Sequence, residues 1–163
     1  MWAKVVAGRV AEYSVSTAYL CPAPYVRETA HIVAGNLPTR PLPGFEMDVA
    51  DFWKWQKDGK PDIYVDESHP REIDSPFTMS LDEVRAKLET AFIQLDEKHK
   101  RETVAVVSQR CLTIMMILHM LHMHNKHYHQ IAQEDGALNL FEIRDGIPSA
   151  LYINDTCHLH GLI

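Results

Sequence analysis

The sequence has a deficit of positive charge, few glycines and no long apolar run. Its 163 residues include 16 Lys and Arg against 22 Asp and Glu, a formal net charge of −6, so no overall positive field attracts nucleic acid or anionic lipid. Seven Gly and nine Pro exclude a collagen-like or low-complexity chain. The longest apolar stretch, Cys111–Met123, is too short and too polar to cross a bilayer. The composition therefore favours one compact domain, residues 1–163, whose partners are proteins or small molecules.

Cysteine is also scarce. The three cysteines, Cys21, Cys111 and Cys157, show no Cys-x-x-Cys spacing, and their odd number leaves one without a disulfide partner. This favours free thiols in a reducing compartment. No secretory signal pattern opens the sequence, so we expect an intracellular, non-secreted protein. The first sixteen residues hold a single acid, Glu12, which is a weak compositional feature of organelle targeting. Mitochondrial and cytoplasmic residence both stay open.

Strand-like and helical patterns alternate along the chain, which predicts an α/β domain. The clearest helix begins at Ser80, which forms a capping box with Glu83 ahead of apolar residues at helical spacing. The β-branched run Thr103–Ser108 is typical of a central strand that is covered on both faces. Between Asn36 and Pro76, prolines, glycines and aromatic residues indicate an irregular segment that packs on the domain. The predicted elements are strands at Ala3–Ala7 and Ala18–Cys21, helices at Tyr25–Ala34 and Ser80–His99, a strand at Thr103–Ser108 followed by a buried helix, and a hairpin of Ala137–Ile143 with Ala150–Ile153.

Three segments carry a family resemblance. CPAPYVRETAHIVA, which begins at Cys21, is similar to Ser-Pro-x-x-Arg-x-x-x-Thr-Ala, and TMSLDEVRAKL, which begins at Thr78, is similar to Gly-Glu-Ser-Leu-x-x-Val-Arg. The run Asp135–Leu159 closes with Asn-Asp-Thr-x-His-Leu. With these motifs, residues 17–159 resemble the histidine phosphatase superfamily, whose fold is called phosphoglycerate mutase-like. The resemblance implies a three-layer α/β domain with a mostly parallel central sheet and a C-terminal β-hairpin.

The resemblance also implies that the catalytic groups are absent. In the family, a histidine in an Arg-His-Gly motif after the first strand accepts the phosphoryl group, and its nearest counterpart here is Val10. The family's phosphate-binding arginine aligns with Tyr25, its second histidine with Gln109, and the acid of Gly-Glu-Ser with Met79. Valine has no lone pair to attack phosphorus, and tyrosine offers one neutral donor in place of a charged fork. We therefore expect no catalysis and no cofactor.

The start of the chain is shorter than the family pattern implies. The family places a full helix between the nucleophile motif and the second strand, whereas only a few residues separate Glu12 from Ala18. A truncated first helix leaves one flank of the sheet uncovered, and such a flank calls for a partner. The resemblance thus favours a structural or adaptor subunit of a larger protein complex, with no small-molecule ligand.

Two alternatives stay open for the chemistry. Arg9 and Arg110 are candidate anion-binding residues, and together they suit a sensor of a phosphate-bearing ligand. His31 or His158 is a candidate nucleophile for an active phosphatase or mutase. Neither alternative has a sequence signal beyond the family resemblance.

Two clusters are candidate interfaces. The aromatic residues Phe52, Trp53 and Trp55 either fill the vacated site or dock a partner. Histidines 119 to 129 invite a metal interpretation, but no thiolate or carboxylate lies at diagnostic spacing, so we expect no metal and favour a structural or interface role. The candidate interface histidines are His122, His124, His127 and His129.

Overall fold

A computed structural model describes residues 2–23, 26–54 and 75–160 of the chain. No helix within these ranges is both long enough and apolar enough to span a membrane. The helices are α1 (Trp2–Ala11), α2 (Val26–Ala34), α3 (Val49–Phe52), α4 (Leu81–Lys98) and α5 (Arg110–Met120), and short 3₁₀ helices cover Asn125–Gln130 and Cys157–Leu159. The strands are β1 (Val15–Leu20), β2 (Thr39–Pro41), β3 (Thr103–Val107), β4 (Leu138–Arg144) and β5 (Ile147–Asp155).

The strands form two separate sheets among the described residues. β2, β1 and β3 form a parallel sheet in that order, with Ala18 of β1 opposite Thr39 on one side and Ala105 on the other. β4 and β5 form an antiparallel hairpin. The predicted α/β architecture with a parallel sheet and a C-terminal hairpin is confirmed.

The predicted strand at Ala3–Ala7 is wrong, because these residues belong to α1. Trp2, Val6 and Val10 recur every fourth residue, a spacing that places them on one helix face. A short run of alanine and valine fits either a strand or a helix, so its composition alone does not decide between them. α1 packs against α2, and the uncovered flank of the sheet stays a prediction.

The other predicted helices are confirmed, within a residue or two at their ends. α2 ends before Gly35, whose positive φ of 55° favours a residue without a Cβ. At the start of α4, the Ser80 side chain accepts from the Glu83 N–H while the Glu83 carboxylate accepts from the Ser80 N–H. This capping box satisfies two backbone donors that a helix start otherwise leaves unpaired.

The predicted hairpin is confirmed as well, and its second strand begins at Ile147 instead of the predicted Ala150. Asp145 and Gly146 join β4 to β5, and both have positive φ, 52° and 75°. Asp-Gly is a favoured pair for the two-residue turns whose twist matches antiparallel strands.

One prediction about the sheet fails. The strand predicted at Thr103–Ser108 was expected to be central, but β3 lies at an edge of the described sheet and all five of its residues are half-buried. The inner face of the sheet is well covered, since Tyr19 of β1 packs in one core with Leu88 of α4 and Met115 of α5. Among the described strands, β2 and β3 are therefore the two edges of this sheet, and its inner face is covered by α4 and α5.

A chain of polar contacts joins β1 to the end of α4. The Tyr19 hydroxyl lies 2.7 Å from Nε2 of His99, and Nδ1 of His99 lies 2.8 Å from the Glu102 carboxylate. The Ser16 hydroxyl donates to the same carboxylate at 2.7 Å. Because the carboxylate only accepts, Nδ1 carries the proton and Nε2 accepts from Tyr19 in the neutral ring. The hydrogen bond from His99, with that from Ser16, lowers the pKa of Glu102.

Substituting Ser80 tests the capping box. Ser80→Ala should lower the free energy of unfolding by about 1 kcal/mol, since it removes the side-chain acceptor at the start of α4. Ser80→Thr keeps the hydroxyl and should stay within about 0.5 kcal/mol of the parent. Urea unfolding followed by circular dichroism measures both, and equal losses in the two variants would contradict the assigned cap.

Candidate functional site

The candidate site lies where β1 and β3 end. Parallel strands bring their carboxyl ends to one edge, and ligands in open α/β sheets bind there. Cys21 and Pro22 follow β1, while Ser108 and Gln109 follow β3. The Cys21 N–H donates to the Val107 carbonyl at 3.1 Å, which holds the two strand ends together. We call Cys21, Pro22, Ser108 and Gln109 the carboxyl edge.

Cys21 is the most reactive type of side chain at the carboxyl edge, but its environment keeps it protonated. It is 5% exposed. Burial raises the pKa of the Cys21 thiol to about 12, against a smaller opposing effect of its hydrogen bond with Ser108. Since the thiolate is the nucleophilic form, a thiol with this pKa is inert near neutral pH.

Gln109 directly precedes α5, the helix that leaves the carboxyl edge. It is the N-cap residue of α5, yet its side chain makes no capping hydrogen bond. Its Oε1 atom is buried and has no hydrogen-bond partner among the described residues. The amide is neutral and is neither an acid nor a base near neutral pH. Gln109 therefore supplies polarity but no proton transfer.

Aromatic side chains pack against the carboxyl edge from α3. The Trp53 indole N–H donates to the carbonyl of Pro22. Its ring lies 5.3 Å from the ring of Phe52 and 5.0 Å from that of Phe77, centroid to centroid, and all three side chains are 0% exposed. Phe52 and Trp53 thus fill the core and do not form an exposed docking surface. Trp55 lies outside the described residues.

The remaining aligned positions do not converge on the carboxyl edge. Met79 is half-buried against the core, and its carbonyl accepts from the Ser75 hydroxyl at 2.7 Å. Val10 is buried within α1. Tyr25 lies outside the described residues. None of these described side chains carries a charge that would hold a phosphate.

The two candidate anion-binding arginines lie on different elements, and each faces an acid. Arg9, on α1, is paired with Glu12, which raises the pKa of Arg9, and lies 4.0 Å from Asp155. Arg110, the first residue of α5, lies 3.7 Å from Asp135. The two guanidinium groups therefore have different acidic partners among the described residues.

The two candidate nucleophilic histidines are also apart from the carboxyl edge. His31 is exposed on α2. Nε2 of His158 lies 3.0 Å from the Gly136 carbonyl, so it donates, while Nδ1 is buried with no partner among the described residues. His158 therefore positions the loop before β4 through a backbone contact.

The histidine cluster makes local contacts. No three His, Cys, Asp or Glu residues in the described ranges are grouped to hold a metal ion. Nδ1 of His124 accepts from the Lys126 N–H at 3.2 Å and caps a 3₁₀ helix, and Nδ1 of His127 lies 3.0 Å from the side-chain oxygen of Gln130. The residues at the surface of this cluster are His122, His124 and His129.

Two features of the structure near the sheet were missed in the sequence analysis. One is the hydrogen bond between Cys21 and Ser108, for which the only signal was that each is the last residue of a predicted strand. The other is a cavity of about 260 Å³ on the side of the sheet covered by α4. It is lined by Tyr19, Arg40, Pro41, Pro43, Gln94, Leu95 and Lys98. It forms only when β2 and α4 pack together, which no local pattern reveals.

The family model described as "Histidine phosphatase superfamily (branch 1)" matches residues 2–156. The chain belongs to the histidine phosphatase superfamily. None of the curated protein sequences matches it.

Solved structures share this fold. A crystal structure of phosphoserine phosphatase in complex with 3-phosphoglyceric acid from Entamoeba histolytica is 21% identical, with a TM-score of 0.68 over 97% of this chain and 82% of that one. Bacillus stearothermophilus YhfR is 14% identical, with a TM-score of 0.75 over 97% and 83%. The alpha-ribazole phosphatase from Shigella flexneri is 13% identical, with a TM-score of 0.68 over 94% and 80%.

Membership of the histidine phosphatase superfamily changes how the start of the chain is interpreted. In the family order, the nucleophile motif follows the first strand and precedes a helix, and the second strand comes next. Here α1 is a helix directly before β1, so the motif belongs ahead of α1. The expected position of Val10, in a loop after a first strand, is therefore wrong, because Val10 lies inside the helix.

Thiol labelling tests the chemistry of the carboxyl edge. In the folded protein at pH 8, iodoacetamide should modify Cys157, which is exposed, and leave Cys21 unmodified. With a pKa of about 12, roughly one Cys21 thiol in ten thousand is ionised at that pH. Asp155→Asn should speed the labelling of Cys157, since the hydrogen bond to Asp155 raises the pKa of that thiol.

Mass spectrometry of the peptides measures each site, and the urea-unfolded chain, in which all three cysteines should react, is the control. Labelling of folded Cys21 at the rate of Cys157 would contradict the assigned burial.

Proposed function

We propose that this protein is a catalytically inactive member of the histidine phosphatase superfamily that serves as a structural or adaptor subunit of a larger protein assembly. The observation that supports the inactive state is that the side chains of the carboxyl edge are uncharged. Cys21 is a buried thiol held protonated, and the groups beside it are a hydroxyl and an amide. None of these groups is a nucleophile activated for attack on phosphorus.

Phosphoryl transfer also needs positive charge at the transferred group. Its oxygens carry charge that is stabilised by arginine, lysine or a metal ion in a water-excluded site. Among the described residues, Arg9 and Arg110 are each engaged by an acid and lie on separate elements. This arrangement supports neither the phosphatase alternative nor the phosphate sensor.

The assembly role is supported by apolar residues that the fold leaves in water. Ile147 is 67% exposed and Leu151 is 58% exposed. Both residues lie on β5 of the hairpin. An exposed apolar group of this kind is typical of a protein interaction surface.

Enzyme assays test the inactive state. The purified chain should release no phosphate from p-nitrophenyl phosphate or from phosphoglycerates above the level of buffer, because no described group at the carboxyl edge is an activated nucleophile. The Shigella flexneri alpha-ribazole phosphatase serves as the active control in the same assay. Turnover that disappears in His31→Ala or His158→Ala would overturn the proposal in favour of an active enzyme.

A melting-temperature measurement with inorganic phosphate separates the sensor from the adaptor. We expect no shift, and a rise in melting temperature that is lost in Arg110→Ala would instead support anion binding.

Gel filtration tests the adaptor role. In extracts of cells that express it, the protein should elute in a species larger than its own 18.7 kDa. The double variant Ile147→Lys, Leu151→Lys should shift toward the monomer, since charges on the exposed hairpin face disfavour an apolar interface. Thr90→Lys, on the exposed side of α4, is the matched control and should elute like the parent. A monomeric parent in the extract would contradict the adaptor role.

A further inference from the structure

The cavity between β2 and the last turns of α4 is a place where a small molecule fits. Its volume is about 260 Å³, which is below the roughly 300 to 1,000 Å³ of pockets for drug-sized ligands. The described residues that line it include none of the carboxyl edge. The cavity is therefore separate from the candidate site at the strand ends.

Strand register and helix spacing bring the lining side chains together. Arg40 of β2 lies opposite Tyr19 of β1 in the parallel pairing, so both side chains leave the sheet on the same face. Gln94 and Lys98 are four residues apart on α4, a spacing that puts them on one face of the helix. The sheet and α4 thus supply opposite sides of one cavity.

The segment after β2 forms a rigid wall. Pro41 and Pro43 flank Leu42, which is 0% exposed and whose N–H donates to a carbonyl of β1 at 2.8 Å. The Lys87 ammonium donates to the Gly44 carbonyl at 3.3 Å and ties the segment to α4. Because proline has a fixed φ, this wall has little freedom to collapse. A cavity formed in advance costs a ligand little reorganisation when it binds.

The buried part of the lining is apolar and ordered. Tyr19 and Leu95 are 2% and 6% exposed. The Tyr19 hydroxyl lies 2.7 Å from Nε2 of His99, and the two rings pack edge to face with their centroids 5.6 Å apart. These contacts hold the Tyr19 ring in one orientation. With the two prolines, the ring and Leu95 offer a surface that favours the carbon groups of a ligand.

Two cations at the cavity have no acidic partner. Arg40 and Lys98 are both exposed, and neither forms an ion pair with any acid in the described part of the chain. Arg9 and Arg110, by contrast, each face a carboxylate. In a chain whose net charge is −6, two unpaired cations beside one cavity give it a local positive potential. The planar fork of a guanidinium matches the oxygens of a carboxylate or a phosphate.

We infer that this cavity binds a small molecule that has an apolar body and one oxyanion group, either a carboxylate or a phosphate. The body contacts the prolines, Leu95 and the Tyr19 ring. The oxyanion is held by Arg40 and Lys98 on the solvent-exposed side. A bare anion gains nothing from the apolar wall, and a neutral ring gains nothing from the cations, so the two halves together select this class of ligand.

The inferred site goes beyond the proposed adaptor function and does not rest on it. It also departs from the expectation, drawn from the family resemblance, that the chain takes no small-molecule ligand.

NMR titration of the full isotope-labelled chain tests the site with defined probes. The probes are benzoate and phenyl phosphate, which join one apolar ring to each kind of oxyanion. Saturable shifts of the backbone amides of Arg40, Leu95 and Lys98 with either probe are the expected result, and the tighter probe identifies the oxyanion. Benzyl alcohol and inorganic phosphate should each bind at least about tenfold more weakly, since each lacks one half of the recognition.

Substitutions of exposed cations locate the contact. Arg40→Gln should weaken binding of the tighter probe about tenfold, because it removes the forked cation, and Lys98→Gln should weaken it about threefold. Lys4→Gln removes an exposed cation of α1 outside the cavity and is the matched control, so it should bind like the parent. Since all three side chains are exposed, the variants should fold, and circular dichroism checks this.

Three results would overturn the inference: no saturable shift with either acidic probe, equal binding of benzoate and benzyl alcohol, or equal losses of affinity in Arg40→Gln and Lys4→Gln. Amide shifts confined to Cys21, Ser108 and their neighbours would also overturn it, because they would place the anion at the carboxyl edge.

The same probes separate this inference from the proposed function. Release of phosphate from phenyl phosphate would refute the inactive state, while saturable amide shifts at Arg40 would still support the cavity. A silent phosphate assay without probe binding would refute only the cavity site.

Discussion

β1 and β3 pair in parallel from Val15 to Leu20, and the candidate site depends on this constraint. The pairing places Cys21 beside Ser108, so a thiol and a hydroxyl share the position where a ligand would enter an open α/β sheet. The register of β2 on β1 likewise sets Arg40 beside Tyr19 at the cavity. Shifting either pairing by one residue would turn one partner to the opposite face, because alternate residues of a strand face opposite sides.

The carboxyl edge is stable because it contains no charge that needs a partner. Burying an unpaired charge costs several kcal/mol, whereas Cys21 is buried as a neutral thiol and Trp53 satisfies its only donor on the Pro22 carbonyl. Apolar packing can then continue from α3 to the strand ends. A phosphate site would need the opposite arrangement, with cations held apart from acids and aimed at one point.

The sequence predicted correctly those secondary-structure elements that are stabilised by residues close together in the chain. Ser80 and Glu83 cap α4 through atoms three residues apart, and the Asp145–Gly146 pair forms the turn of the hairpin, so the printed sequence contains both partners of each interaction. The strand predicted over Ala3–Ala7 failed because alanine and valine suit either structure, and packing of α1 on α2 made the choice. The expectation that Val10 lies in a loop after a first strand failed for the same reason, because Val10 is inside α1.

By itself, the sequence determined the family resemblance, the capped helix, the hairpin and the types of residue that follow β1 and β3. Only the tertiary structure decided that Phe52 and Trp53 are buried, that Arg9 and Arg110 each face an acid, and that β3 lies at an edge of the described sheet. The physical reason is that exposure, ion pairing and strand order depend on residues distant in sequence. A pattern of neighbouring residues shows which side chains are able to be buried or paired. The fold determines which partner each of them contacts.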